Sequence, residues 1–433
     1  MQRKLRSLFF LERTLLGDGT QPFNGVFAIR IKGILTDRDL SAALHRLQQK
    51  YIQLQMAVGA INTKEPFFFI PDVVAPIPVV FRKCIGVNDW QREALDGLAF
   101  RFNIERGTMI KVVCLVADGT TDLILSFHHC ICDGGGGVLL IRELLQALDN
   151  PFIALGTPKN LLGLEDILPE EFRNSKRVRL KTSFLATLLK AVLSLSTRFI
   201  STKNKQLLDR SQDYLLQLKF DAASSSGWIR KCKDAAVTVN TAIGLLLLNA
   251  YEILLDKQAK NKISCPVDIR RFASQISDKD LFSFGLVLTL RKRKDYDTTF
   301  WGVAALLQKE VDKQINTLQP YEFLMTFEKL HSALAPMLKM LTYGKVGNDL
   351  MFSNMGKISL EKEYRHFQLE TVFSPVVIGP FANPSTMICS TFNGQLDLSF
   401  VSNEQFLPRT KADELFRYIK KVVNSFADYQ SSI

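Results

Sequence analysis

A mixed α/β architecture in two halves is what the sequence predicts, on three observations. The chain has 433 residues, well beyond the roughly 250–300 at which a single hydrophobic core stops growing. Stretches with the two-residue period of strands alternate with stretches at helical spacing along both parts of the chain. Between those parts, residues 173–205 carry nine basic side chains and no acidic one. The expected division is therefore an N-terminal half over 1–172, a basic linker over 173–205 and a C-terminal half over 206–433, each half with a mixed β-sheet and flanking helices.

Each element rests on its own local signal. Residues 26–32 (VFAIRIK) alternate apolar with basic or small residues, as a strand does. Thr36 and Asp37 can cap a helix that runs through Leu40, Ala43, Leu44 and Leu47. Further strands are expected at 111–117 and 122–127, followed by a helix at 139–148 with Leu140, Glu143, Leu144 and Leu148 on one side. In the second half, helices are expected near 237–255, 300–318 and 411–426, and strands near 262–267, 285–291, 373–378 and 395–401. Asn393-Gly394, between 387–392 and 395–401, predicts a hairpin, because both residues tolerate the positive φ of a type I′ turn.

The linker contains an apolar helix candidate, residues 183–200. Projected at 100° per residue, Thr187, Lys190, Ser194 and Arg198 form a narrow polar stripe, and Phe184, Leu185, Leu188, Leu189, Val192, Leu195 and Phe199 form a broad apolar face. One reading is an interdomain helix packed against the body of the protein. The other is an interfacial helix whose basic flanks, Arg173, Lys176, Arg177, Arg179, Lys181, Lys203 and Lys205 among them, meet anionic headgroups.

Composition narrows the function classes. Net charge is +12, with 55 Lys and Arg against 43 Asp and Glu, which points to anionic partners. The halves are nearly neutral, so the charge belongs to the linker and not to the diffuse basic face of a nucleic-acid binder. Seven cysteines without a CxxC pair fit a reduced cytoplasmic protein and give no zinc spacing. The apolar run Leu8–Leu11 is broken by Glu12 and Arg13, too early for a signal-peptide core. No uncharged apolar stretch of about 18 residues suggests a spanning helix.

The segment that carries chemistry closes the strand at 122–127. Two of the five histidines are adjacent in the run His128-His129-Cys130-Ile131-Cys132-Asp133-Gly134, which continues through three more glycines into a helix. An imidazole that titrates near neutral pH, a carboxylate four residues on and glycines that admit a substrate to the backbone are the parts of a general-base site. Two other chemistries use the same residues. Cys130 or Cys132 could pair with a histidine as a nucleophile, although neighbours in an extended segment seldom converge on one point. The glycine-rich turn could bind phosphate through free N–H groups, but it lacks GxGxxG spacing and a following Lys-Ser/Thr.

His128-His129-x-x-x-Asp133-Gly134 resembles the HHxxxDG signature of the acyltransferase superfamily that includes chloramphenicol acetyltransferase, condensation domains of nonribosomal peptide synthetases, alcohol acetyltransferases and polyketide-associated acyltransferases. Pro266-Val267-Asp268-Ile269-Arg270 resembles the family's PVNLR strand end, with Asp268 where Asn is commoner, and Ser353-Asn354-Met355-Gly356 resembles its SNxG turn. Gly33–Thr36 with the following helix and Thr238-Val239-Asn240 fit the same pattern, whereas Tyr51–Gln55 departs from the family's HPxLR run.

The resemblance implies two chloramphenicol-acetyltransferase-like halves with an active-site tunnel between them. His129 is then the general base and His128 structural. Asp133 holds the motif loop through an ion pair with Arg270, Gly134 keeps the channel open, and Ser353 and Asn354 line the tunnel or polarise the carbonyl. The implied reaction is direct acyl transfer, in a ternary complex, from acyl-CoA or an acyl-carrier-protein phosphopantetheine thioester to an acceptor hydroxyl. No metal and no bound cofactor are implied. The other readings are an amide-forming condensation enzyme and a non-catalytic condensation-like module that binds a carrier protein. A monomer is expected, cytoplasmic or peripheral to an anionic membrane through residues 173–205, with no nucleic-acid partner.

Overall fold

The structure is a computed structural model and describes residues 3–17, 19, 21–202, 208–283, 285–292 and 299–429. The first half runs β1 (Arg3–Ser7), α1 (Phe10–Leu16), β2 (Asn24–Lys32), α2 (Asp37–Lys50), β3 (Ala57–Gly59), β4 (Phe67–Ile70), β5 (Val79–Lys83), α3 (Asp89–Ala99), β6 (Ile110–Ala117), β7 (Thr120–His128) and α4 (Gly134–Asp149). Three helices follow, α5 (Leu164–Ile167), α6 (Glu170–Asn174) and α7 (Lys176–Arg198). The second half runs β8 (Asp213–Lys219), α8 (Ala222–Asp234), α9 (Val239–Leu255), β9 (Lys262–Asp268), β10 (Gly285–Arg291), α10 (Phe300–Asn316), α11 (Pro320–Phe327), α12 (Leu334–Tyr343), β11 (Leu350–Lys357), β12 (Gln368–Val372), β13 (Val376–Val377), β14 (Thr386–Phe392), β15 (Gln395–Asn403) and α13 (Arg409–Asn424).

Two mixed sheets carry these elements. The first has the order β12-β2-β7-β6-β5 with β13 also on β2, and the second has the order β10-β9-β11-β14-β15-β8. Parallel pairs (β5 with β6, β11 with β9 and β14) interrupt otherwise antiparallel ladders, so each sheet is covered by helices. A small sheet, β1-β4-β3, closes one end of the first half. The central strands are buried along nearly their whole length, as β7 is from Thr121 to His128, and they read as continuous apolar runs for that reason.

Local signals operate as their chemistry requires. The Thr36 hydroxyl accepts from the Asp39 N–H at the start of α2, and the Thr238 hydroxyl caps α9 through the Thr241 N–H. Asn393 and Gly394 take φ of +49° and +74° and join β14 to β15 in a tight hairpin. Helix α9 is long and apolar enough to span a bilayer, but Thr241–Leu248 are buried in the core of the second half, which explains its apolar circumference.

The sheets do not divide at residue 206. Strands β12 and β13, beyond the expected start of the C-terminal half, pair with β2 in the first sheet. Between them, Ser374 is tied to the second sheet: its N–H and hydroxyl donate to Asp397, and Ser399 donates to its carbonyl. Of the strand expected at 373–378 only Val376–Val377 forms; β12 ends before that range, and Ser374 between the two makes the cross-link between the sheets. The first sheet ends at β2 unless these residues arrive, and an unpaired edge of that length is costly to leave open.

The linker holds a longer helix than expected, α7 over Lys176–Arg198, and it packs with the opposite face inward. Thr182, Ala186, Leu193 and Thr197 are buried against α11, α12 and the turn at Glu328–Ala333, whereas Phe184, Leu188, Val192 and Leu195 are more than half exposed. The packed interdomain helix is therefore present, but the broad apolar face expected at its contact surface points to solvent. Lys203 and Lys205 lie outside the described residues.

Candidate active site

Strand β7 delivers the histidine pair to the junction of the two halves. His128 ends the strand, its N–H donating to the Met109 carbonyl, and His129 N–H donates to the carbonyl of Phe23 just ahead of β2. Four residues later Asp133 caps α4, its side chain accepting from the Gly136 N–H at 2.9 Å. The sequence places the start of this helix at Leu139; the cap moves it back to Gly134, through glycines that propensity disfavours.

His129 is enclosed by protein yet retains some open surface. The Phe23 ring packs edge-on at 5.4 Å between centroids, and the Ser283 hydroxyl donates to the His129 carbonyl at 2.6 Å while lying 3.4 Å from Nδ1. Burial pulls the imidazole below its ordinary value; hydrogen bonds to the carbonyls of His129 and Cys132 and the charge of Asp133 work in the other direction. The net effect is a neutral ring near pH 7, the form that accepts a proton.

Asp133 and Arg270 meet as expected from the resemblance. The guanidinium grips the carboxylate with two contacts, 2.6 Å and 3.2 Å, and both side chains are largely shielded. Arg270 also donates to Asp268 at 3.1 Å and to the carbonyls of Asp280 and Ser277. Burial lowers the Arg270 pKa, but Asp133 and then Asp268 outweigh it and hold the guanidinium above its ordinary value. Paired in this way, Asp133 and Arg270 are not independent solvated charges.

A strap from the second half, Asp280–Ser283, underlies the motif and was not singled out in the sequence. Its carbonyls and hydroxyl engage first-half partners or Arg270 in turn: Asp280 accepts from Arg270, Leu281 from Gln53, Phe282 from the Asp133 N–H, and Ser283 donates to His129. The stretch DKDLFS is mixed in polarity and has no period, and only the Leu-Phe pair hints at burial. Phe23 was missed for the same reason.

His128 is buried and its pKa is pushed down to about 3 by burial, with a smaller push from His129. Its Nδ1 accepts from the Cys130 N–H and lies 3.0 Å from the Cys130 Sγ. The sequence argument that neighbours would not converge is thus corrected, since the turn after β7 folds Cys130 back onto the ring. Burial nonetheless raises the Cys130 thiol well above its ordinary value, and at 2% exposure it can neither ionise readily nor meet a substrate.

The four glycines serve close packing. A Cβ on Gly137 would come within 2.3 Å of the Phe27 ring, one on Gly135 would crowd Arg270, and one on Gly134 would fall 2.7 Å from the Met355 Sδ. Gly134 therefore lets β11 of the second half close against the motif, and the space beside it is occupied by Met355. Ser353 and Asn354 lie immediately before Met355 on β11. The Asn354 side chain accepts from the Gly356 N–H, so its oxygen shapes the turn at Gly356, where φ is +67°.

The rings continue from Phe23 to Phe381, 5.3 Å away edge-on. Phe381 lines a cavity of about 570 Å3, together with Tyr343, Lys345, Gly379 and Arg210. Arg210 is paired with Asp213 through Nε, and its two terminal nitrogens are buried without a hydrogen-bond partner among the described residues. Among the described residues no group of three or more His, Cys, Asp or Glu side chains could hold a metal ion.

No family model matches the chain. A hybrid polyketide–nonribosomal peptide synthetase of Fusarium sp., LUC5, is 26% identical over 148 residues, 32% of this chain, which covers 4% of the synthetase's length. The trichothecene 15-O-acetyltransferase of Fusarium sporotrichioides superposes with a TM-score of 0.71 at 11% identity, over 98% of this chain and 95% of that one. The starter condensation domain of rhizomide synthetase RzmA, solved with C8-CoA, superposes with a TM-score of 0.66 at 14% identity, over 98% and 95%. With two mixed sheets meeting at the histidine motif, the chain has the fold of the condensation-domain and chloramphenicol-acetyltransferase-like acyltransferases.

Proposed function

We propose that the protein transfers an acyl group from a thioester, on coenzyme A or a carrier-protein phosphopantetheine, to an acceptor hydroxyl. The observation that carries this reading is a neutral, partly open His129 fixed at the junction of the halves by the Phe23 carbonyl, Ser283 and the capped Asp133 loop. A free imidazole nitrogen takes the hydroxyl proton as the oxygen attacks the thioester carbonyl. The C–O bond forms, the C–S bond breaks, and the imidazolium returns the proton to the departing thiolate, so an ester and a free thiol leave the enzyme. No residue is acylated. Asp133 positions the loop and, already engaged by Arg270 and the Gly136 N–H, moves no proton. A 15-O-acetyltransferase among the proteins that share the fold is compatible with oxygen as the acceptor atom. Lys345 in the cavity wall suits a donor that carries phosphate.

The test follows thiol release from acyl-CoA and from acylated carrier protein, with and without alcohols. His129→Ala is expected to lower kcat by about 100-fold or more, the usual weight of a general base, with the melting temperature little changed. Full activity in that variant would remove His129 from the role.

A further inference from the structure

Helix α7 presents to solvent the face that a core helix would bury. Its inward face is narrow, at Thr182, Ala186, Leu193 and Thr197, and is held to the body by Lys329, which donates to Thr182 and Ser183, and by Lys339, which donates to the Thr197 carbonyl. Outward stand Leu180 and Phe184 at 73% and 70% exposure, Leu188, Val192 and Leu195 at 51–55%, and Phe199 at 88%. From Leu180 to Phe199 the band is roughly 29 Å long at 1.5 Å per residue. Contiguous apolar surface of this extent is rarely left uncovered.

Two further observations identify what covers it. Helix α7 carries Lys176, Arg177, Arg179, Lys181, Lys190 and Arg198 and not one carboxylate; Lys181 reaches Glu322 on α11, and the other five have no acid on their own helix, while Arg173 just before it lies on α6 with Glu170 and Glu171. The neighbouring α12, apolar at Leu338, Met340 and Leu341, has no fully buried residue and ends at Thr342 and Tyr343 in the wall of the 570 Å3 cavity.

We infer that α7, with the adjoining side of α12, seats the protein on an anionic phospholipid surface. Apolar side chains would enter the acyl boundary while the flanking cations meet headgroups, the division of labour of an interfacial helix. A second copy of the chain fits this face poorly, because two such helices would bring acid-free basic segments together. Seated in this way, the end of α12 and the cavity mouth would lie close to the lipid. The inference stands independently of His129, since it uses none of the catalytic residues.

The experiment is vesicle co-sedimentation of the full chain. Phosphatidylcholine vesicles containing phosphatidylserine are expected to retain the protein at least tenfold more strongly than phosphatidylcholine alone, with release as salt is raised. The double variant Leu188→Asp, Leu195→Asp should lose at least tenfold in binding without a change in melting temperature, and Val73→Asp, on a separate exposed site, should bind normally. In case the double variant misfolds, Leu188→Trp reads the same contact through a blue shift of emission on anionic vesicles. Absence of binding, undiminished binding of the double variant or absence of the shift would overturn the inference. So would a two-chain mass in light scattering that Leu188→Asp returns to one, or an acyl carrier protein that occupies the face, where vesicles are not bound.

Discussion

His129 and His128 are adjacent in sequence and opposite in circumstance. His129 keeps an open edge and is held below its ordinary value of 6.5 by burial, so the acid limb of kcat/KM is expected below pH 6.5; a limb above that value would contradict the assignment. His128, pushed down to about 3 from 6.5, acts on stability. Above pH 6.5 the ring is neutral folded and unfolded, and it costs nothing. As pH falls from 6.5 toward 3, only the unfolded chain takes the proton, so stability should decline by about 1.4 kcal/mol per pH unit from this group. Urea midpoints measured from pH 7 to 4 check this, and His128→Gln should flatten the slope. The pairing of the motif with a base was legible from residue types alone. Which histidine is sealed and which is open was not, because that depends on how the turn folds Cys130 against one ring and Phe23 against the other.

At the scale of elements, periodicity and caps located most helices and strands, and they failed where packing overrode propensity. The glycine run argues against a helix, yet α4 begins at Gly134 because the sheet and Arg270 leave no room for side chains there. Gly137→Ala should therefore destabilise by about 1–2 kcal/mol, as overpacking against Phe27 outweighs the gain in helix propensity; thermal denaturation measures it, and a stabilised variant would show that α4 can lift from β2. In α7 the amphipathic pattern was plain in the sequence, but the face in contact with the protein was inverted. A hydrophobic stripe says that something apolar covers it, and leaves open whether that is the chain's own core.

For the whole molecule, the two halves are joined at the site by Asp133–Arg270 and the Asp280–Ser283 strap, and behind it by β12, β13 and Ser374. Arg270→Ala strands a shielded Asp133 and should cost about 3 kcal/mol, together with activity, since the loop carrying His129 loses its clamp. Arg270→Lys should restore part of the stability and little of the activity, because an ammonium cannot reproduce the paired contacts. Wild-type activity in a folded Arg270→Ala variant would make the clamp structural only.

The sequence by itself determined the mixed α/β class, the two-half plan and the histidine motif, because these rest on short-range patterns and on residue types that chemistry requires at fixed spacing; Arg270 as the partner of Asp133 was implied by the resemblance of residues 266–270 to the family's strand end. Only the tertiary structure decided that residues 368–377 complete the first sheet, that Asp280–Ser283 supports the motif, and that the apolar face of α7 looks outward. Those facts follow from which distant segments share a surface, and neither a local period nor a composition carries that information.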